Sequence, residues 1–252
     1  MKVIITMPAY KAERTLERTV ADIPSPATIG AEVEMLLVDD ASPDNTVAVA
    51  RRLGIPTLVH DQNRGYGGNQ KTCYDEALRR GADVVVLLHP DYQYDPTRIP
   101  AMVKPILDGQ ADFTFGSRFI QGGNPRAGGM PLYRYLGNIL TTWIENLFLG
   151  TRFAELHSGY KAYSAAFLRA IPYHTYTDDF AFDSQMIVDA VLAGFRIVEV
   201  PIRTNYHADA SSVSVLKSLK YVGETVSLVA KARWGLFTGS RQRLAAPNAN
   251  ER

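Results

Sequence analysis

Val33-Glu34-Met35-Leu36-Leu37-Val38 is followed without a break by Asp39-Asp40-Ala41-Ser42-Pro43-Asp44-Asn45-Thr46. A β-branched and aliphatic run of this length reads as a strand, and the polar stretch after it reads as the loop leaving the strand's carboxyl end. Asp44-Asn45-Thr46 then opens a helix over residues 45–53 that Gly54 closes, with capping and binding both open as roles for the three polar residues. The same unit recurs along the first half of the chain. Residues 3–7, 57–60, 84–88 and 113–115 read as further strands, and residues 13–23 and 69–80 as helices, with another helix opened by Pro96. Strands alternating with helices predict an α/β fold, a mostly parallel sheet flanked by helices. Beyond Gly116 the alternation becomes irregular. A Gly- and Pro-rich loop over 122–131 precedes a helix over 132–149, and a helix over 183–193 feeds a strand over 196–200.

The chain has 252 residues, 46% of them hydrophobic and 21% charged, enough for one large α/β domain. Lys plus Arg (27) nearly balance Asp plus Glu (26), which gives no reason to expect a nucleic-acid binder. That balance conceals an asymmetry: residues 213–252 hold seven Lys or Arg against two acids, so the rest of the chain is mildly acidic. A single cysteine, Cys73, excludes a disulfide framework and a multi-cysteine zinc site and makes a reducing, cytoplasmic setting the expectation. No run approaches the ~18 apolar residues of a membrane span, and Met1-Lys2 leads into Val3-Ile4-Ile5 rather than into a signal sequence.

In an open parallel sheet, ligands bind at the carboxyl ends of the strands. Five strand ends here carry polar or glycine-rich groups: Pro8-Ala9-Tyr10, Asp39 to Thr46, Asn63-Arg64-Gly65-Tyr66-Gly67-Gly68-Asn69, His89-Pro90-Asp91-Tyr92-Gln93 and Gly116-Ser117-Arg118. Gly65, Gly67 and Gly68 read as a turn and do not fit the dinucleotide pattern. Taken in order with Ser158-Gly159-Tyr160-Lys161 and Glu199-Val200-Pro201-Ile202, these segments resemble the family 2 glycosyltransferases of GT-A fold, and within them the dolichyl-phosphate mannose and polyprenyl-phosphate glucose synthases.

The resemblance implies an inverting transfer of a hexose from a UDP- or GDP-sugar to a polyprenyl phosphate. It places Pro8, Tyr10 and Asp39 at the nucleoside, with Glu13, Asp40, Gly67, Lys71 and His89 in the same nucleotide-sugar site. Asp91, with Gln93 and His89, would meet Mg²⁺ or Mn²⁺ bridging the diphosphate, and Arg118 would add a second positive group. Arg134, Ser158 and Lys161 fall to the acceptor, and Glu155 to deprotonating an acceptor hydroxyl or orienting the sugar. Three departures stand out. His89 replaces the first aspartate of Asp-x-Asp and brings no negative charge; Lys11-Ala12-Glu13 replaces Asn-Glu; and His207 with Ala210-Ser211-Ser212-Val213 replaces a basic, glycine-containing segment. Two other readings remain open here, a soluble acceptor hydroxyl with Glu155 as base and a sugar-nucleotide-binding protein without catalysis. Asp178, Asp179 and Asp183 read as a charge cap on a helix or as ligands of sugar hydroxyls, and His157 and His174 as structural.

Residues 1–212 thus form the expected catalytic domain, 213–238 an amphipathic helix and 239–252 a disordered polar tail. In that helix Val215, Leu219, Val222, Val226, Val229 and Phe237 share one side and Lys217, Lys220, Glu224 and Lys231 the other. Such a face packs on the core, pairs with a twin subunit in a homodimer, or lies on the inner face of the cell membrane with Trp234 and Phe237 as anchors and Arg233 snorkelling. Polyprenyl phosphate acceptors favour the peripheral membrane reading.

Overall fold

The computed structural model describes residues 1–121, 125, 126, 128–204, 222–230 and 234. Its centre is a seven-stranded sheet of β1 (Lys2–Ala9), β2 (Glu32–Asp39), β3 (Thr57–Val59), β4 (Val84–Leu87), β5 (Phe113–Ser117), β6 (Lys161–Ser164) and β7 (Ile197–Pro201), ordered 3-2-1-4-6-5-7. All neighbours pair in parallel except β6, which runs antiparallel between β4 and β5. Side chains alternate across the sheet, and both faces are apolar because helices cover both. Val3, Ile5, Met7, Val84 and Val86 meet Leu16 of α1 (Leu16–Ala21) and Met102 and Val103 of α5 (Ile99–Leu107) on one face. Ile4, Leu36, Val38, Val85 and Leu87 meet Cys73 and Tyr74 of α4 (Gly65–Arg79) and Met186 and Ile187 of α8 (Phe182–Ala193) on the other.

Further helices are α2 (Pro26–Ile29), α3 (Thr46–Arg52), α6 (Leu132–Leu149) and α7 (Ala165–Ala170). The sequence reading and the structure differ in informative places. Strand β6 is absent from the expectation, because Lys161-Ala162-Tyr163-Ser164 is too short and too polar to read as a buried strand. Helix α4 starts at Gly65, not Asn69, so the glycines form its first turn instead of a preceding one. Helix α1 begins only at Leu16, since residues 12–15 form a turn in which Thr15 N–H donates to Ala12 O (3.1 Å). Of the expected C-terminal helix, residues 222–230 are helical, with Val229 buried against Leu149 and Val188, and the hydroxyls of Thr225 and Ser184 3.2 Å apart. His207, the segment 210–213 and the tail 239–252 lie outside the described residues, as does the rest of that helix apart from the exposed Trp234.

Candidate active site

At the carboxyl end of β2, Asp39 is fully buried. Its Oδ2 accepts from Ser42 N–H (2.9 Å), while its Oδ1 has no donor. A buried carboxylate oxygen left without a donor is costly unless a ligand supplies one. Pro8 is half-buried and Tyr10 49% exposed on the adjoining loop after β1. Lys11 (φ 58°), Ala41 (φ 58°) and Tyr92 (φ 56°) are the non-glycine residues with left-handed backbone among those described, and they follow β1, β2 and β4. That conformation costs each about 1–2 kcal/mol, and it clusters at the edge where the sheet receives ligands.

Several expected nucleotide contacts are already engaged within the protein. Glu13 accepts from Asn45 N–H (3.1 Å) and Asn45 Nδ2 (2.9 Å), bonds that hold its carboxyl below the usual range, so it fastens the β1 loop to the start of α3. Asp40 caps α4, accepting from Arg64 N–H (2.8 Å) and Gly65 N–H (3.1 Å) beside His60 Nδ1 at 2.8 Å. Lys71 donates to Tyr176 O (2.5 Å) and to Asp178 Oδ1 (2.7 Å), fixing the segment ahead of α8. Gly67 donates its N–H to Asp178 O (2.7 Å), and a Cβ there would stand 2.5 Å from Thr177 O and 2.8 Å from Phe182 Cβ. Gly67→Ala is therefore expected to destabilise the fold by about 1–3 kcal/mol in urea unfolding. Gly137→Ala, where a Cβ meets nothing within 4 Å on α6, is expected to stabilise it by up to about 1 kcal/mol. Equal effects of the two would contradict the close approach of α4 to the 177–182 segment.

After β4, Asp91 Oδ1 accepts from Gln93 N–H (3.0 Å) and His89 turns its Nε2 toward the hydroxyl of Tyr66 at 3.4 Å. Burial lowers the imidazole's pKa against the opposing pull of Asp91 and Asp183. The Tyr66 phenol, its pKa raised by burial and by Asp183, donates to Asp183 Oδ2 at 2.8 Å. Lys161 sits fully buried on β6, 2.8 Å from the same Asp183 oxygen. Burial lowers its pKa while Asp183 pulls it back up. Asp183 likewise proves to be an interior ion-pair partner, whereas Asp178 and Asp179 are exposed.

Glu155 is likewise engaged within the protein. Fully buried, it accepts from Arg118 N–H (2.7 Å), Arg118 Nε (2.7 Å) and Asn138 Nδ2 (3.3 Å), and also meets Arg118 Nη2. Its backbone N–H donates to Glu199 (3.2 Å), whose pKa burial raises. Glu155 is thus the clamp that orients Arg118. Ser158 is buried, its Oγ accepting from Tyr160 N–H (3.3 Å). Arg134 is half-buried in the first turn of α6, its Nε donating to the Tyr133 hydroxyl (3.1 Å). His157 lies 3.0 Å from Glu145 of α6 and His174 3.2 Å from Asp75. Tyr66, Asn138 and Glu199 were given no role from sequence; Tyr66 and Glu199 lie inside the quoted motifs, whereas nothing local marks Asn138.

A family model described as Glycosyl transferase family 2 matches residues 4–174. The chain belongs to that family. This family 2 glycosyltransferase is 29% identical to an undecaprenyl-phosphate mannosyltransferase of Micrococcus luteus, over 97% of this chain and 99% of that one. It is 26% identical to a UDP-N-acetylglucosamine–dolichyl-phosphate N-acetylglucosaminyltransferase of Methanococcus voltae, over 81% and 86%. Its fold matches a glucosyl-3-phosphoglycerate synthase of Mycobacterium tuberculosis, crystallised with Mn²⁺ and UDP-glucose, with a TM-score of 0.68 at 18% identity, covering 92% of this chain and 78% of that one. The GT-A architecture implied by the family resemblance is the one found.

Proposed function

We propose that this glycosyltransferase moves a hexose, with inversion, from a nucleotide-diphosphate sugar to a polyprenyl phosphate at a membrane surface. An oxygen of the acceptor phosphate attacks the anomeric carbon, the bond from that carbon to the diphosphate breaks, and its electron pair leaves with the nucleotide. The acceptor is already an anion near pH 7, so the step needs no strong base. That suits a site whose Glu155 is occupied in holding Arg118. Asp39 would take a base N–H on its donorless Oδ1, Tyr10 would pack beside the base, and Arg118 would face the leaving diphosphate.

Among the described residues no group of three or more His, Cys, Asp or Glu gathers to cage a metal. Asp91, Gln93 and His89 would hold the ion in a different arrangement, in which Mg²⁺ or Mn²⁺ takes a few protein ligands and completes its shell with diphosphate oxygens and water. When bound, the cation would offset charge on the departing diphosphate.

The observation that carries the lipid half is α6, which is inverted relative to an ordinary surface helix. Its buried positions include Thr141, Thr142 and Glu145, while Leu132, Leu136, Ile139, Leu140, Trp143 and Leu147, at helical spacing, are 42–67% exposed. A continuous exposed apolar stripe of this kind marks an interaction surface, and Arg134 sits on the same helix. No helix among the described residues is long and apolar enough to cross a membrane, so α6 would lie in the interface. The test offers UDP- and GDP-hexoses with undecaprenyl or dolichyl phosphate in anionic vesicles and follows glycolipid formation and flotation. Wild type is expected to float and to glycosylate the lipid phosphate, and Leu140→Glu/Trp143→Glu to lose flotation and most lipid transfer. A wild-type protein that stays in solution and glycosylates only water-soluble acceptors would defeat the proposal.

A further inference from the structure

We infer that Tyr66, Asp183 and Lys161 are positioning residues that hold His89 with its Nε2 protonated and so present Nδ1 as a ligand to the divalent cation at Asp91. The inference rests on the cation reading above and assigns residues that it leaves unused. Its starting point is a count of protons. Asp183 Oδ2 lies 2.8 Å from both Lys161 Nζ and Tyr66 Oη, and the single phenolic proton points to that carboxylate. Only lone pairs remain on Tyr66 Oη for its other neighbour, His89 Nε2, at 3.4 Å. A hydrogen bond between them then requires Nε2–H as the donor, since the other tautomer would set two lone pairs against each other.

Packing enforces the same arrangement. The rings of Tyr66 and His89 stack at 5.5 Å and 12°, and Phe180 covers Tyr66 at 4.9 Å. Gly159 leaves the room: a Cβ there would stand 3.2 Å from His89 Nε2 and 3.3 Å from Tyr66 Oη. Lys161, fully buried, neutralises the carboxylate that orders the set, so the assembly does not rely on solvent. No hydrogen bond among the described residues engages Nδ1, and His89 stands two residues from Asp91. Ligating histidines characteristically spend their second nitrogen on such a partner, and loss of that partner costs about 10–100-fold in metal affinity. An imidazole in place of a carboxylate also moves preference away from Mg²⁺ and toward the later, more nitrogen-loving divalent ions.

The experiment is pulsed electron paramagnetic resonance on the full-length protein with Mn²⁺ and UDP, and in parallel GDP, beside titration of Mn²⁺ and Mg²⁺ affinities. Wild type is expected to show ¹⁴N modulation from a directly bound imidazole. His89→Asp should bind Mn²⁺ without that modulation and raise the Mg²⁺ to Mn²⁺ affinity ratio, and Tyr66→Phe should weaken Mn²⁺ about 10–100-fold while remaining folded by circular dichroism. Mn²⁺ bound to the wild type without ¹⁴N modulation overturns this inference and leaves the cation reading standing. Absence of bound Mn²⁺ with either nucleotide overturns the cation reading and this inference together. A folded Tyr66→Phe that keeps wild-type Mn²⁺ affinity also overturns the positioning role, and where that variant misfolds, the wild-type spectrum still decides whether the imidazole is a ligand.

Discussion

Glu155→Gln is expected to cost about 3–5 kcal/mol of folding stability, the usual penalty for removing one partner of a buried ion pair. The fully buried carboxylate neutralises an arginine that is itself only 6% exposed, and glutamine keeps an oxygen for Arg118 N–H while deleting the charge. For a chain of this size the loss corresponds to a fall of roughly 6–20 °C in Tm. Arg118→Met should destabilise comparably, by stranding the carboxylate. The pair is better judged by the double variant, which should be less destabilised than the sum of the singles by about 1–3 kcal/mol because neither charge is then left alone. Transfer activity should stay low in all three, since each loses either Arg118 or its orientation. Strict additivity in calorimetry, or a Glu155→Gln protein as stable as wild type, would show that the clamp contributes nothing.

Much of this architecture was legible in the chain because its signals are local. The runs at β1, β2, β4 and β5 are mostly apolar, and each ends in a polar or glycine-rich segment, so the candidate ligand edge could be picked out from sequence. Two elements escaped for opposite reasons. Strand β6 owes its place to its neighbours, pairing with β4 and β5 at once, and its four residues carry a lysine that only the interior partner Asp183 makes tolerable. The start of α4 was hidden by glycine's poor helix propensity, which here is overridden by the need for Thr177 and Phe182 to approach the backbone.

The site was legible as a place and less so as an assignment of roles. Strand-end carboxylates look alike in sequence, yet Asp39 keeps an oxygen without a donor, Asp40 spends both on the amino end of α4, and Glu13 spends both on Asn45. Competition among donors decides which carboxylate remains for a ligand, and those donors come from segments up to 32 residues away for Glu13 and 37 for Glu155. The exposed apolar stripe of α6 was missed as well, because its period is that of any amphipathic helix, and only burial shows that the apolar side is the one turned outward.

Asp91→Asn separates chemistry from folding most cleanly, and kcat/KM for hexosyl transfer is expected to fall by about 10²–10³ or more. A carboxylate that draws a divalent cation to the diphosphate contributes several kcal/mol as the leaving group gains charge, and each 1.36 kcal/mol is tenfold in rate. Asparagine matches the size and keeps an oxygen for Gln93 N–H, so the left-handed turn at Tyr92 retains its support. Half-buried and at the sheet edge, residue 91 carries none of the core packing, and stability should remain within about 0.5 kcal/mol of wild type. Added Mn²⁺ should recover part of the rate, because the amide oxygen still ligates weakly and mass action can offset a poorer site. A variant that transfers hexose at the wild-type rate in the presence of a chelator would remove the cation from the reaction, and would leave Arg118 as the charge on which departure of the diphosphate depends.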